Sequence, residues 1–107
     1  MINHEHYTYR VIWSQEDGEF VGLCVELPSL SYLADTQTGA LQGIIQLAGE
    51  CAQDMADNGE DIPEPLSQRT YSGKFMVRMP PEQHRNLAIA AAEQGISLNR
   101  YVASRLS

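Results

Sequence analysis

The chain has 107 residues, which is enough for one ordinary domain or two small ones. Its apolar runs are too short to form a membrane-spanning helix. Its first residues lack the basic and apolar regions of a secretory signal, so we expect a cytoplasmic protein.

The formal net charge of −7 is unevenly divided along the chain. Residues 1–66 contain one basic and twelve acidic residues, for a net −11, whereas residues 67–107 contain six basic and two acidic residues, for a net +4. Unless it is a chance variation, this split predicts two modules with different partners. The basic module is the candidate for binding nucleic acid.

The first third of the chain predicts a small antiparallel sheet. Residues 7–14 alternate between apolar and polar side chains, which is typical of a strand. Asp17 and Gly18 favour a hairpin turn, and the return strand is predicted over residues 19–26. A short third strand is predicted over residues 29–34.

An amphipathic helix is predicted after this sheet. Thr36 offers an N-cap side chain, and apolar residues recur at helical spacing from Leu41 to Met55. Asn58 and Gly59 are typical of a helix end. We expect the helix to cover one face of the sheet, and we expect the polar, proline-containing residues 63–72 to be a linker.

The pattern changes again after the predicted linker. Residues 73–79 alternate as in a strand, and Pro80 and Pro81 then stop the strand and begin a helix. Gly95 is typical of the end of that helix, and Ser97 of the N-cap of a second one. The segment therefore predicts one strand and two helices within about 35 residues.

Such a short unit cannot bury its apolar residues alone, and a lone strand leaves both of its edges unpaired. We therefore expect two copies to pair their strands into an antiparallel ribbon above a shared core of four helices. The side chains expected in this dimer core are Phe75, Val77, Leu87, Tyr101 and Val102. The outward face of the ribbon would carry Lys74, Met76 and Arg78, and a two-stranded ribbon fits the major groove of DNA.

Residues 73–107 resemble ribbon-helix-helix repressors of the Arc and MetJ type, in the stretch Gly73-Lys74-Phe75-Met76-Val77-Arg78-Met79-Pro80 and in the stretch Gly95-Ile96-Ser97-Leu98-Asn99. The resemblance implies that Lys74, Met76 and Arg78 read bases. It also implies that the helix start at Ser97, Leu98 and Asn99 binds a phosphate. Met76 departs from the polar residue that these proteins often carry, so it offers only apolar contact. The alternative is that the ribbon serves only dimerisation.

The N-terminal part resembles HicB-family antitoxins, in the stretches Asp17-Gly18-Glu19-Phe20-Val21, Glu26-Leu27-Pro28, Ala34-Asp35-Thr36 and Ile62-Pro63-Glu64-Pro65. Ser29 replaces the glycine of the usual Pro-Gly turn, and Gly39 replaces a frequent glutamate. The resemblance implies an α+β protein. It would have a partial RNase H-like β-β-β-α toxin-binding domain at residues 1–62, a linker at 63–72 and a ribbon-helix-helix (β-α-α) dimerisation and DNA-binding module at 73–107.

The same resemblance implies two partners. HicB proteins bind HicA, a small basic ribonuclease toxin, and the pair represses its own operon, so operator DNA is the second partner. We expect a homodimer or tetramer. The alternatives are a stand-alone regulator whose N-terminal domain binds another protein or a ligand, and an oligomerisation protein without a role on DNA. A further alternative is that the acidic residues serve only solubility.

No enzyme activity is expected from the sequence. Glu16, Asp17 and Glu19 form a group of carboxylates, but acidic residues are common in hairpin turns for backbone reasons. The sequence contains no nucleophile–base spacing, phosphate-binding loop or zinc pattern. We therefore expect no catalytic residue, no metal site and no cofactor.

Overall fold

The structure is a computed structural model that describes residues 2–106, and it has an α+β fold. The chain forms two compact units that divide between Tyr71 and Ser72. We call them the N-terminal unit and the C-terminal unit. None of the helices in residues 2–106 has the length and apolar character required to cross a membrane.

The N-terminal unit contains the expected sheet. Its strands are β1 (Tyr9–Ser14), β2 (Glu19–Cys24) and β3 (Ser31–Ala34), antiparallel and in the order β1-β2-β3. Each strand is two residues shorter than its predicted range. Gly18, at φ 63°, lies in the turn between β1 and β2, where the predicted hairpin needs a left-handed residue.

The long helix α1 (Gln37–Asp57) follows the sheet and has the predicted ends. The Thr36 hydroxyl accepts a hydrogen bond from the Gly39 backbone N–H at 3.0 Å. At the other end, Gly59 has φ 72°, and the N–H of Glu60 reaches back to the carbonyl of Met55 at 2.8 Å. This is the Schellman arrangement that lets a glycine terminate a helix.

Helix α1 covers one face of the sheet, as predicted. Ile44 and Ala48 are fully buried against a core that includes Cys24, Leu27 and Tyr7. Two details of the predicted helix face differ, because Leu41 is 39% exposed and the unpredicted Ala40 is fully buried. The contact face is therefore rotated slightly from the one that the spacing indicates.

The segment after α1 is held against the N-terminal unit by long-range hydrogen bonds. The Tyr7 hydroxyl donates to the Pro63 carbonyl at 2.6 Å, and the Ser67 hydroxyl donates to the His6 carbonyl at 3.1 Å. A 3-10 helix, Leu66–Gln68, lies within this segment. Most of the predicted linker over residues 63–72 therefore belongs to the first compact unit, where three residues, His6, Tyr7 and Glu26, bind it.

Glu26 is the third attachment point. Its carboxylate accepts hydrogen bonds from the Thr8 N–H at 2.9 Å and from the Leu66 N–H at 3.0 Å. Partial burial alone would raise the pKa of Glu26, but the N–H donors of Leu66 and Thr8 outweigh it and hold the pKa below its ordinary value. The charged carboxylate of Glu26, in the turn after β2, thus joins the residue before β1 to the segment at residue 66.

The C-terminal unit contains two helices, α2 (Pro81–Glu93) and α3 (Leu98–Leu106). Proline occupies the first position of α2, as expected. Gly95 ends that helix at φ 69°, with the Ile96 N–H bonded to the Ala91 carbonyl at 3.1 Å. The Ser97 hydroxyl accepts from the Arg100 N–H at 3.1 Å, which confirms the predicted cap of the second helix.

The predicted strand over residues 73–79 is absent from the single chain, where residues 74–80 have no regular secondary structure. A strand is defined by its ladder of hydrogen bonds to a neighbour, and the described part of the single chain supplies no neighbour here. Because the expected strand is one that two copies form together, it stays a prediction.

Candidate functional site

The three residues expected to read bases lie on an exposed segment. We call residues 74–79 the ribbon segment. Lys74 and Arg78 are exposed, and Met76 is 80% exposed. Gly73, directly before the segment, has a φ of 83° that requires glycine, and the Ser72 hydroxyl accepts from the Lys74 N–H at 3.1 Å. A local turn therefore fixes where the ribbon segment starts.

The alternate residues of the ribbon segment are also uncovered. Phe75 is 78% exposed and Val77 is 57% exposed, although both are apolar and were expected in a dimer core. Large apolar side chains placed side by side on a surface commonly mark a contact with another protein. In one copy, nothing within the described residues buries them.

The C-terminal unit has only a small core of its own. Among its described residues, Ala91 and Tyr101 are the ones classed as buried. Leu87 and Val102, which were also expected in the dimer core, are half-buried. Leu106, near the end of α3, is 71% exposed. A unit with so few buried side chains has little to stabilise it as a monomer.

The start of α3 meets some of the requirements of an anion-binding site. Backbone N–H groups in the first turn of a helix have no acceptor inside the helix. Asn99 is exposed there, whereas Leu98 is half-buried. The Ser97 hydroxyl already caps Arg100, so Ser97 would contribute mainly its backbone to a phosphate.

One basic residue of this unit has a structural contact that the sequence did not suggest. The Arg105 guanidinium lies 5.2 Å from the centre of the Tyr101 ring, and its Nη2 donates to the Tyr101 hydroxyl at 3.3 Å. Arg105 thus packs against the core residue Tyr101 and helps to hold its ring in place. Its spacing of four residues on one helix is the only signal that could have indicated this pair.

The N-terminal unit carries a second candidate surface. The end of α1 and the loop after it present six exposed carboxylates and no basic residue, and we call this group the acidic surface: Glu50, Asp54, Asp57, Glu60, Asp61 and Glu64. The sequence predicted the excess of negative charge, but not that these six side chains would all be exposed.

Two of these carboxylates stand in an unfavourable position. Asp54 and Asp57 lie in the last turn of α1, which contains no basic residue, near the negative end of the helix dipole. Gln53 donates to the Asp57 carboxylate at 3.0 Å, but a hydrogen bond from a neutral amide leaves the negative charge in place. Each such charge costs typically about 0.3–1 kcal/mol. Replacement of these carboxylates by neutral side chains is therefore expected to stabilise the helix.

The structure thus defines an α+β protein of two units. The N-terminal unit is acidic and contains the sheet and α1, whereas the C-terminal unit is basic and contains the exposed ribbon segment, α2 and α3. The model of the HicB family matches residues 57–106, which supports membership of this chain in that family. No match was found among the curated proteins or among the solved structures.

The range that the family model matches lies mostly outside the stretches that carried the earlier resemblance. It begins at the last residue of α1 and contains the ribbon segment, α2 and α3. The resemblance to HicB antitoxins rested mainly on residues 17–36, which lie outside this range. Apart from residues 62–65, which both include, the family match and the earlier resemblance rest on different parts of the chain, and they point to the same family.

Proposed function

We propose that this protein is the antitoxin of a type II toxin–antitoxin system, which neutralises a small, basic, mRNA-cleaving toxin of the HicA kind and represses its own operon. The observation that carries the proposal is the match of the HicB family to residues 57–106. Members of that family are antitoxins. The two surfaces described above would divide the two tasks.

Operator binding is assigned to the C-terminal unit. Two copies of the ribbon segment would pair as antiparallel strands, as in a ribbon-helix-helix protein. Pairing would bury Phe75 and Val77 and would form the strand that is absent from a single copy. Lys74, Met76 and Arg78 would then be repeated by a twofold axis on the outer face, where lysine and arginine can bind guanine in the major groove. A ribbon of this kind reads DNA only as a dimer.

Arg78→Ala is expected to weaken binding to the operator by at least about thirtyfold, since the loss of two contacts worth about 1 kcal/mol each already gives that factor. One good contact between arginine and guanine discriminates by about 1–3 kcal/mol, and the dimer contains two copies of Arg78. The measurement is a titration of the DNA upstream of the gene at fixed salt, with unrelated DNA as competitor. Arg69→Ala is the matched control because it removes the same charge from the N-terminal unit. Equal binding by the two variants would show that the ribbon segment does not read the operator.

Toxin binding is assigned to the N-terminal unit, whose sheet and helix we interpret as a partial RNase H-like fold. Its residues 1–71 contain twelve acidic and two basic residues, for a net −10. The acidic surface would attract a cationic ribonuclease at long range and would compete for the basic face that holds RNA. Occlusion of that face is sufficient for neutralisation, so no catalytic group is needed.

The pair of substitutions Asp54→Asn and Asp57→Asn separates folding from partner binding. We expect the doubly substituted protein to be more stable, by about 0.3–1 kcal/mol for each charge at low salt. We also expect it to bind the toxin at least about tenfold more weakly because the attraction is reduced. Thermal unfolding and calorimetric titration with the purified neighbouring toxin measure the two effects.

Glu5→Gln together with Glu16→Gln is the matched control for this experiment, since it also removes two exposed carboxylates and neither belongs to the acidic surface. It should leave toxin affinity unchanged. If the Asp54 and Asp57 variant binds the toxin normally, the acidic surface is not the contact. If the product of the adjacent small basic reading frame does not bind the unaltered protein, while operator binding persists, the protein is a stand-alone regulator.

A further inference from the structure

The sheet of the N-terminal unit has a second face that α1 does not cover. The covered face is identified by Gly22, since a Cβ atom built on it would lie 2.8 Å from Ile44 Cγ2 of α1. Val11 and Tyr32 stand opposite Gly22 on the neighbouring strands, so they share the covered face. The residues that alternate with these three point to the opposite side, which we call the outer face.

An apolar row crosses the middle of the outer face. Ile12, Val21 and Leu33 are register partners on β1, β2 and β3, so their side chains lie next to one another. Ile12 is 41% exposed and Leu33 is 47% exposed, while the central Val21 is half-buried. A sheet face of this composition normally packs against another layer.

The charged residues of the outer face lie at its two ends. Arg10, opposite Leu23, is at one end of β1, and Glu19, opposite Ser14, is at the other end of the sheet. Four residues of strand separate the two positions, which is about 14 Å. The two side chains are therefore too far apart to pair within one copy.

We propose that the outer face binds the outer face of a second copy of this chain, through a twofold axis that lies between the sheets and runs perpendicular to the strands. This axis would stack the apolar row on its own copy. It would also reverse the strand direction, so that Arg10 of each copy lies over Glu19 of the other. A twofold axis parallel to the strands would instead place Glu19 over Glu19, which like-charge repulsion disfavours.

The charge of the outer face favours a second copy over a cationic partner. The face carries one positive and one negative side chain, whereas the acidic surface belongs to α1 and the following loop. A basic protein would gain little attraction on the outer face. The repulsion between two units of net −10 is spread over their surfaces, and salt screens it beyond about 8 Å at physiological ionic strength.

This contact is independent of the ribbon proposed for the C-terminal unit. With both contacts present, the chain has two different twofold interfaces, and four copies can close into a tetramer. With the outer-face contact alone, the chain is a dimer. In either case, loss of the outer-face contact halves the mass of the particle.

The first test is the mass of the full-length protein in sedimentation velocity at physiological salt. Leu33→Asp places a charge in the middle of the apolar row and is expected to halve the mass. Leu41→Asp is the matched control because Leu41 is 39% exposed on α1 and lies outside the outer face. A monomeric unaltered protein, or an unchanged mass for Leu33→Asp, overturns the proposal.

The second test uses the charges and does not depend on how well Leu33→Asp folds. Arg10→Glu and Glu19→Arg, each made alone, should weaken association at least about tenfold, because each variant places like charges together. The double substitution Arg10→Glu with Glu19→Arg should restore association. A double variant no better than the singles overturns the proposed axis. Loss of toxin binding without a change in mass assigns the outer face to the toxin instead.

Discussion

Replacing Phe75 with aspartate is expected to abolish both dimerisation through the C-terminal unit and specific DNA binding. Phe75 is 78% exposed in a single copy, and pairing of two ribbon segments would bury it. Burial of a phenylalanine side chain contributes about 1.5–3 kcal/mol, and the dimer buries two of them. The loss of both corresponds to a decrease in dimer affinity of at least about a hundredfold. A buried aspartate adds a desolvation cost.

Met76→Asp is the matched control for this prediction, since Met76 is the next residue and is expected on the opposite side of the ribbon. It should impair DNA binding through repulsion of phosphates, while the dimer and its helices persist. Sedimentation velocity and circular dichroism on both variants separate the two outcomes. If Phe75→Asp retains the dimer and Met76→Asp loses it, the assignment of the two sides is reversed. If neither changes the mass, the ribbon does not form.

Local signals accounted for most of the secondary structure. Thr36 and Ser97 cap the helices that their side chains predicted, because an N-cap depends only on residues within one turn. Gly59 and Gly95 end helices with left-handed backbone, for equally local reasons. The ribbon segment is the exception, since a strand depends on a partner that a single copy does not contain.

The segment after α1 could not be predicted in the same way. Its polar composition and its prolines are typical of a linker, and no pattern in residues 63–71 indicates what they bind. Their contacts are hydrogen bonds to Tyr7, His6 and Glu26, which are between 40 and 62 residues away along the chain. Contacts over such separations leave no periodic signal in the sequence, so only the structure reveals them.

The sequence predicted the residues of the ribbon segment but not the outer face of the sheet. Alternation of charge and apolarity identified the residues of the ribbon segment, and the structure places Lys74, Met76 and Arg78 on an exposed stretch. Their role on DNA stays a prediction. The outer face of the sheet was not recognised as a surface, because alternation shows that a strand has two faces but does not show which one a helix will cover.

Gly22→Ala is expected to destabilise the N-terminal unit strongly, by about 3 kcal/mol. Gly22 lies on the central strand beneath α1, and an added Cβ atom would overlap the Ala40 carbonyl oxygen and approach Ile44 Cβ at 2.9 Å. A backbone carbonyl within a helix cannot rotate away, so α1 would have to move off the sheet. Insertion of a methyl group into a filled core typically costs about 1–3 kcal/mol, and displacement of a whole helix lies at the upper end.

Gly43→Ala is the control that shows whether overlap with the backbone of α1 causes the loss of stability. An added Cβ atom at Gly43 would meet the Tyr32 ring, which belongs to a side chain that is 43% exposed and can rotate into solvent. Alanine also favours the helix over glycine by about 1 kcal/mol, which offsets part of the cost. Urea unfolding of both variants at one protein concentration should therefore give a much lower midpoint for Gly22→Ala than for Gly43→Ala. Equal midpoints would mean that α1 does not rest on β2 at Gly22, and the assignment of the covered and outer faces would then fail with it.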